Sequence, residues 1–255
     1  MKELVSVIIP IPDPELTPTQ EKSLHRCLEA LARYPVMFIT AEGADLAIVK
    51  EHKADADIIY FPKEYFQSRQ ALAKLFLLDE FYDRFSWTDF LLIHELNSWI
   101  VKDELHYWCK QGYDYLKAKP DSSDSKKLPG QVSLILGLNQ NEKLNIDKAF
   151  ENNGLILCNV QRMIKALRKK AKTAYQYRHD EILKHRDAVF WEVEANRIWP
   201  TVRKPTEIVR NFFCIALSTK KTSSQYTGRA LPFAFTGVSK DNIDDLPIQE
   251  VQGRN

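Results

Sequence analysis

The chain has 255 residues, 44% of them hydrophobic and 27% charged, with a formal net charge of +2 at pH 7. That length and balance fit one large α/β domain or two small ones with a full core, and exclude a disordered chain, a small disulfide scaffold or a coiled rod. Only 8 glycines are present, and neither G-x-G-x-x-G nor G-x-x-x-x-G-K-[ST] occurs, which excludes nucleotide binding through those two phosphate loops.

Residues 4–9 form an almost continuous apolar, β-branched run that stops at Pro10, the pattern of a buried strand in a parallel sheet. Residues 21–33 place Leu24, Leu28 and Leu31 on one face and predict an amphipathic helix. Strands are predicted over 36–40 and 57–61, with a short helix around 44–51 between them. This βαβαβ alternation predicts a parallel sheet covered by helices. A helix over 68–81, with Leu72, Leu75, Phe76, Leu78 and Phe81 at helical spacing, leads into an apolar strand over 90–94. Residues 95–98 therefore sit at a strand's carboxyl end, where open α/β sheets place their ligand crevice. Residues 103–111 read as a helix closed by Gly112, and 117–130 as a long loop. Further strands are predicted over 132–138 and 154–157, then a basic helix over 160–173 and helices over 181–196 and 205–214. No internal repeat or compositional break divides the chain, so 1–238 are expected to form one domain and 239–255 a loose polar tail.

Cys27, Cys109, Cys158 and Cys214 form no C-x-x-C pair and read as reduced core thiols. The apolar run over 4–11, broken by Pro10, is too short for a secretory or membrane-spanning segment, so a cytoplasmic protein is expected. Charge is uneven, with 13 basic against 6 acidic side chains between 160 and 210. Arg162, Lys165, Arg168, Lys169, Lys170 and Lys172 alternate with Met163, Ile164, Ala166 and Leu167 at helical spacing. The segment 160–172 reads as a solvated helix face, or as a peripheral contact with an anionic inner membrane face or a phosphorylated acceptor. No motif for stacking RNA bases accompanies it, and no nucleic-acid partner is expected.

His94-Glu95 opens like the zinc motif H-E-x-x-H, but Ser98 stands where the second histidine is needed, and no G-x-S-x-G elbow exposes a serine. Glu95 and Asn97 share a face at the end of an extended strand, where both could offer oxygen to one metal ion or one diphosphate. Asn97 and Ser98 could equally cap a turn or a helix. Asp187, ahead of an apolar helical stretch, could complement a helix dipole.

The stretch 65–115 resembles a family of uncharacterised proteins with a glycosyltransferase-A-like, nucleotide-diphospho-sugar transferase domain. The resemblance rests on Phe66-Gln67-Ser68, Phe81-Tyr82-Asp83-Arg84-Phe85, Leu91-Leu92-Ile93, Asp103-Glu104-Leu105 and the block Trp108-Cys109-Lys110-Gln111-Gly112-Tyr113-Asp114-Tyr115. It continues more loosely through Val7-Ile8-Ile9-Pro10, Asn152-Asn153-Gly154-Leu155, Arg186-Asp187 and Pro232-Phe233. It implies an α/β fold with a Rossmann-like, mostly parallel sheet, helices on both faces, and a nucleotide sugar across the sheet's carboxyl edge. By this resemblance Pro10 and Ile11 line the nucleoside pocket, Ser68, Arg69 and Lys74 flank the diphosphate, and Glu95 and Asn97 orient it. Asn152, Asn153 and Gly154 would hold the sugar, and Asp187 would be the general base toward a hydroxyl acceptor. The implied activity is hexosyl transfer to a glycan or glycolipid in polysaccharide or glycoconjugate synthesis.

Several motif positions depart from the family pattern. Its Q-x-D is Glu95-Leu96-Asn97, its G-N-G-G is Glu151-Asn152-Asn153-Gly154, its E-D is Arg186-Asp187, and its closing histidine is Thr236. An amide and a hydroxyl bind Mg²⁺ or Mn²⁺ less well than a carboxylate and an imidazole, so a divalent ion would depend on Glu95 with Asn97. Otherwise Arg69, Lys74 or Arg229 must neutralise the diphosphate, or the chain is a catalytically inactive relative that binds glycan or nucleotide or scaffolds a partner.

Overall fold

In the computed structural model, which describes residues 2–119, 135–152, 154–217 and 231–249, the first apolar run is strand β1 (Glu3–Pro10). Helix α1 (Pro18–Ala30) starts ahead of the predicted residue 21. Thr17 and Gln20 form a reciprocal capping box, and Pro18 occupies the first turn, where its missing N–H costs nothing. β2 (Val36–Ala41), α2 (Ala47–His52) and β3 (Asp57–Phe61) follow as expected. The helix predicted over 68–81 is two, α3 (Arg69–Leu75) and α4 (Asp79–Asp83). Leu75, Phe76 and Leu77 are all buried, and three successive residues cannot share one face of an unbroken helix.

β4 (Thr88–His94), β5 (Ser98–Ile100), α5 (Leu105–Lys110) and β6 (Tyr115–Lys117) come next. Where a strand was expected over 132–138, residues 135–137 form a single 3-10 turn, while 132–134 and most of the loop 117–130 lie outside the described residues. α6 (Gln140–Lys148) opens on a capping box of Asn139 with Glu142. β7 (Leu155–Asn159) runs directly into α7 (Val160–Lys169), and α8 (Ala171–Arg178) follows a break at Lys170. The helix expected over 181–196 begins only at α9 (Arg186–Val189) and continues as a π-helical turn, Phe190–Glu194. The Asp180 carboxylate accepts the Ile182 and Leu183 N–H groups and holds the preceding stretch as a turn. α10 (Glu207–Phe213), β8 (Cys214–Ala216) and β9 (Ala234–Thr236) complete the order.

The main sheet has the order β3-β2-β1-β4-β7-β6. Its first four strands are parallel, whereas β7 runs antiparallel to both β4 and β6. Along β1, Ile8 points into one core layer with Phe76, Phe81 and Trp191, while Val7 and Ile9 point into the other with Leu24, Leu31 and Trp108. Burial on both faces is why these strands read as continuous apolar runs rather than alternating ones. A smaller sheet, β5-β9-β8, carries a third cluster of Trp99, Val101, Leu217 and Phe235. Residues 239–249, expected to be loose, pack there: Ile243 and Leu246 are buried, and the Gln249 N–H donates to the Val101 carbonyl at 2.9 Å.

The four cysteines are free and buried, and burial pushes the Cys27 and Cys158 thiols up to about 12. On the basic face, Arg168 lies 2.7 Å from Asp79 and Arg162 3.7 Å from Asp114, so part of the positive charge is answered by this chain's own carboxylates. Among the described residues no helix is long and apolar enough to cross a membrane.

Candidate functional site

β1 has β2 on one side and β4 on the other, so the connections diverge there and a crevice opens at the carboxyl ends of β1 and β4. The crevice encloses about 300 Å³. The end of β1 contributes Pro10, the connection to α1 Pro12, Asp13 and Leu16, and the first turn of α1 Gln20, while α3 with its cap contributes Ser68, Arg69 and Leu72. Glu95, Leu96 and Asn97 come from the turn after β4, and Glu151 and His185 close the far side.

A guanidinium shared by two carboxylates sits in this crevice. Arg69 Nη1 and Nη2 donate to the two oxygens of Asp187 at 3.3 and 3.1 Å, and Nη2 lies 3.2 Å from Glu95 Oε1, outside hydrogen-bond geometry. Burial alone would lower the Arg69 pKa, but Asp187 and Glu95 reverse that and raise it. Burial works to raise Asp187, yet the Arg69 pair outweighs it and holds the carboxyl below its ordinary value. Glu95 goes the other way: burial raises it, Arg69 opposes and the Asp187 charge adds to the rise. The triad therefore loses its net negative charge whenever Glu95 takes a proton.

Gly154 draws Glu95, Asn97 and Thr236 together. The Glu95 N–H donates to the Gly154 carbonyl at 2.7 Å, and the Gly154 N–H donates to Thr236 Oγ1 at 2.7 Å. Thr236 Oγ1 also accepts from Ser98 Oγ at 3.3 Å, so its hydroxyl is committed to the scaffold. A Cβ at Gly154 would overlap Asn97 Oδ1 and come 2.7 Å from Ser98 Oγ. Gly154→Ala is accordingly expected to displace Asn97 and destabilise the fold by about 1–3 kcal/mol. Thermal denaturation checks this; an unchanged Tm would mean that the turn after β4 yields freely.

Of the residues nominated by sequence, Pro10, Ser68, Arg69, Glu95 and Asn97 line the crevice together. Asn152 packs beside Gly237, next to the lining residue Glu151, and Gly154 forms the wall behind Asn97. Three placements correct the expectation. Ile11 is fully buried, with its N–H on the Ile39 carbonyl and its own carbonyl on Thr40 Oγ1, so it belongs to the core. Lys74, at the far end of α3, lines a neighbouring cleft of about 590 Å³ with Tyr65 and Arg178. Asp187 is 1% exposed with both oxygens on Arg69, so it does not face a ligand in the crevice. Asn153 and Arg229 lie outside the described residues. Sequence reading missed Asp13, Gln20, Glu151 and His185; the Pro12-Asp13 pair beyond a strand end was the available signal for the first.

The donor set does not fit a resident divalent ion. Glu95 already neighbours a guanidinium, the Asn97 oxygen is neutral, and Thr236 is spent on Gly154. Among the described residues no three His, Cys, Asp or Glu side chains converge as a metal site. The zinc-like His94 is fully buried, and burial pushes its imidazole down to about 4.

A family model described as a protein of unknown function, DUF5672, matches residues 55–236. The chain belongs to this family. No curated protein matches the DUF5672 chain. Among solved structures it is similar to the galactosyltransferase LgtC in complex with donor and acceptor sugar analogues, with a TM-score of 0.54 and 10% identity over 92% of this chain and 87% of that one. It is also similar to the apo glycosyltransferase GlyE of Streptococcus pneumoniae, with a TM-score of 0.50 and 10% identity; the match covers 94% of this chain but only 55% of GlyE. The fold of this DUF5672 chain is thus glycosyltransferase-A-like: mixed α/β with a mostly parallel central sheet.

Proposed function

We propose that the crevice binds a nucleotide sugar and that the protein transfers its hexosyl group to a hydroxyl of a glycan or glycolipid acceptor. The observation that carries this reading is Arg69, a guanidinium held by Asp187 and Glu95 at the carboxyl ends of β1 and β4. In this reading Arg69 faces the diphosphate in place of a metal ion, and Asp187 positions it from behind. The buried Asn97 Oδ1, which has no hydrogen-bond partner, is left to accept from a sugar or ribose hydroxyl.

Calorimetric titration with UDP, GDP, CDP and their common sugar conjugates, each with and without Mn²⁺, tests the reading. One nucleotude family is expected to bind with an affinity that Mn²⁺ does not change. Silence across the panel would remove the donor site, and strict dependence on Mn²⁺ would return Glu95 and Asn97 to the role of metal ligands.

A diphosphate beside Arg69 must compete with Glu95, and its charge pushes the Glu95 carboxyl higher still. Binding to the wild type is therefore expected to take up a proton. It should weaken by up to about tenfold per pH unit between the raised value of the free carboxyl and the higher value of the complex. Glu95→Gln is expected to bind more tightly and to lose that proton uptake, read by calorimetry in two buffers of different ionisation enthalpy. Weaker binding by this variant would mean that Glu95 itself contacts the ligand.

A second reading, a catalytically inactive relative that binds the nucleotide or a glycan, is favoured by one observation. At the two positions where the pattern this chain resembles has aspartate and histidine, the chain has the neutral Asn97 and Thr236, and the Thr236 hydroxyl is built into the Gly154 turn. Binding without release of nucleoside diphosphate is the outcome that selects it.

A further inference from the structure

With Asp187 turned into the protein, the crevice needs another group to receive the acceptor's proton. We propose that His185, oriented by Asp147, is that group, an inference that rests on the nucleotide-sugar reading above. His185 lines the crevice, and its side chain is 12% exposed. Asp147, from α6, gives both its oxygens to this one residue: Oδ1 accepts the His185 backbone N–H at 2.7 Å and Oδ2 lies 3.1 Å from Nδ1. A carboxylate on Nδ1 fixes that nitrogen as the donor and leaves the Nε2 lone pair free.

The crevice guanidinium is engaged elsewhere: Arg69 is shared by Asp187 and Glu95. Arg186, the adjacent cation, directs its guanidinium to the Leu183 and Arg178 carbonyls. The other carboxylates lining the crevice, Asp13 and Glu151, are exposed, and neither has a structural partner comparable to Asp147 to orient it toward a ligand.

The step balances in atoms and charge. The acceptor hydroxyl gives its proton to His185 Nε2 while its oxygen bonds to the anomeric carbon of the sugar. The bond from that carbon to the diphosphate oxygen breaks, and the electron pair leaves on the nucleoside diphosphate beside Arg69. The imidazolium then returns the proton to water. A single displacement of this kind inverts the anomeric centre.

The test uses whichever sugar nucleotide the calorimetric panel identifies, and follows release of nucleoside diphosphate with water and with free monosaccharides as acceptors. His185→Ala and His185→Gln are expected to bind the nucleotide as the wild type does and to lose about 10²- to 10⁴-fold in kcat. Added imidazole is expected to restore part of the rate to His185→Ala, which a merely structural role would not allow. Asp147→Asn is expected to lower kcat with nucleotide affinity unchanged. Turnover of the His185 variants within about tenfold of wild type, or a loss confined to KM, would overturn the inference while the nucleotide reading stands. Wild-type binding without any release would also overturn it and leave a binding module. Absence of nucleotide binding by the wild type would remove the reading and the inference together.

Discussion

Arg69→Met is expected to abolish nucleotide binding and to lower the stability of the fold by about 3–5 kcal/mol, the cost of leaving a buried charge without its partner. Asp187 is 1% exposed and both its oxygens are bound by Arg69, so the variant strands a carboxylate in the core. In the wild type the Asp187 carboxyl is held below its unfolded value. Its contribution to stability is therefore complete above about pH 4 and is lost as pH falls through the depressed folded value. Without Arg69 the sign reverses, because burial then raises the carboxyl. The variant's deficit should be largest at neutral pH and shrink as acid protonates Asp187. Asp187→Asn in the Arg69→Met background removes the stranded charge, so the double variant should be more stable than Arg69→Met alone. Urea unfolding of the wild type, Arg69→Met, Asp187→Asn and the double variant at pH 7 and pH 5 measures both effects. Additive losses, or a deficit that grows in acid, would mean that the pair is not the buried lock described here.

The same pair shows what sequence could and could not reveal. β1, β2 and β4 were legible because strands buried on both faces are written as unbroken apolar runs, β3 as a short β-branched and aromatic run at the sheet edge, and the order of strand and helix then implied the crevice after β4. β5, β6, β8 and β9 are three residues each, too short for any periodicity, and they exist because neighbouring strands supply the hydrogen bonds. Arg69 and Asp187 were each singled out, but for separate roles. Their pairing spans 118 positions and follows from how α3 meets α9. His185 carried no motif; only the packing of α6 against α9 brings Asp147 to it. The resemblance located the departures at Asn97 and Thr236, but not that both close on Gly154.

Lys117, on β6, carries the other large effect. Its side chain is fully buried, its Nζ lies 4.6 Å from the centroid of the Phe150 ring, and it has no hydrogen-bond partner. The nearest carboxylates are already taken, Glu192 by Arg210 at 2.7 Å and Asp187 by Arg69. Burial pushes the ammonium from 10.5 down to about 8, with Glu192 and Asp187 only partly opposing it. Between those two values the unfolded chain binds more protons than the folded one, so the wild type gains stability as pH rises through that window. Below pH 8 the whole penalty, about 3 kcal/mol, is present. The contact with Phe150 returns about 0.5–2 kcal/mol of it. Lys117→Met keeps the length and most of the volume of the side chain without the charge. It should stabilise the protein by about 1–3 kcal/mol at pH 7, and the advantage should disappear near pH 10.5. Urea unfolding of the two proteins at both pH values decides it: a Met variant less stable at pH 7 would mean that the ammonium, through Phe150 and the surrounding carboxylates, is a net stabiliser of the sheet edge.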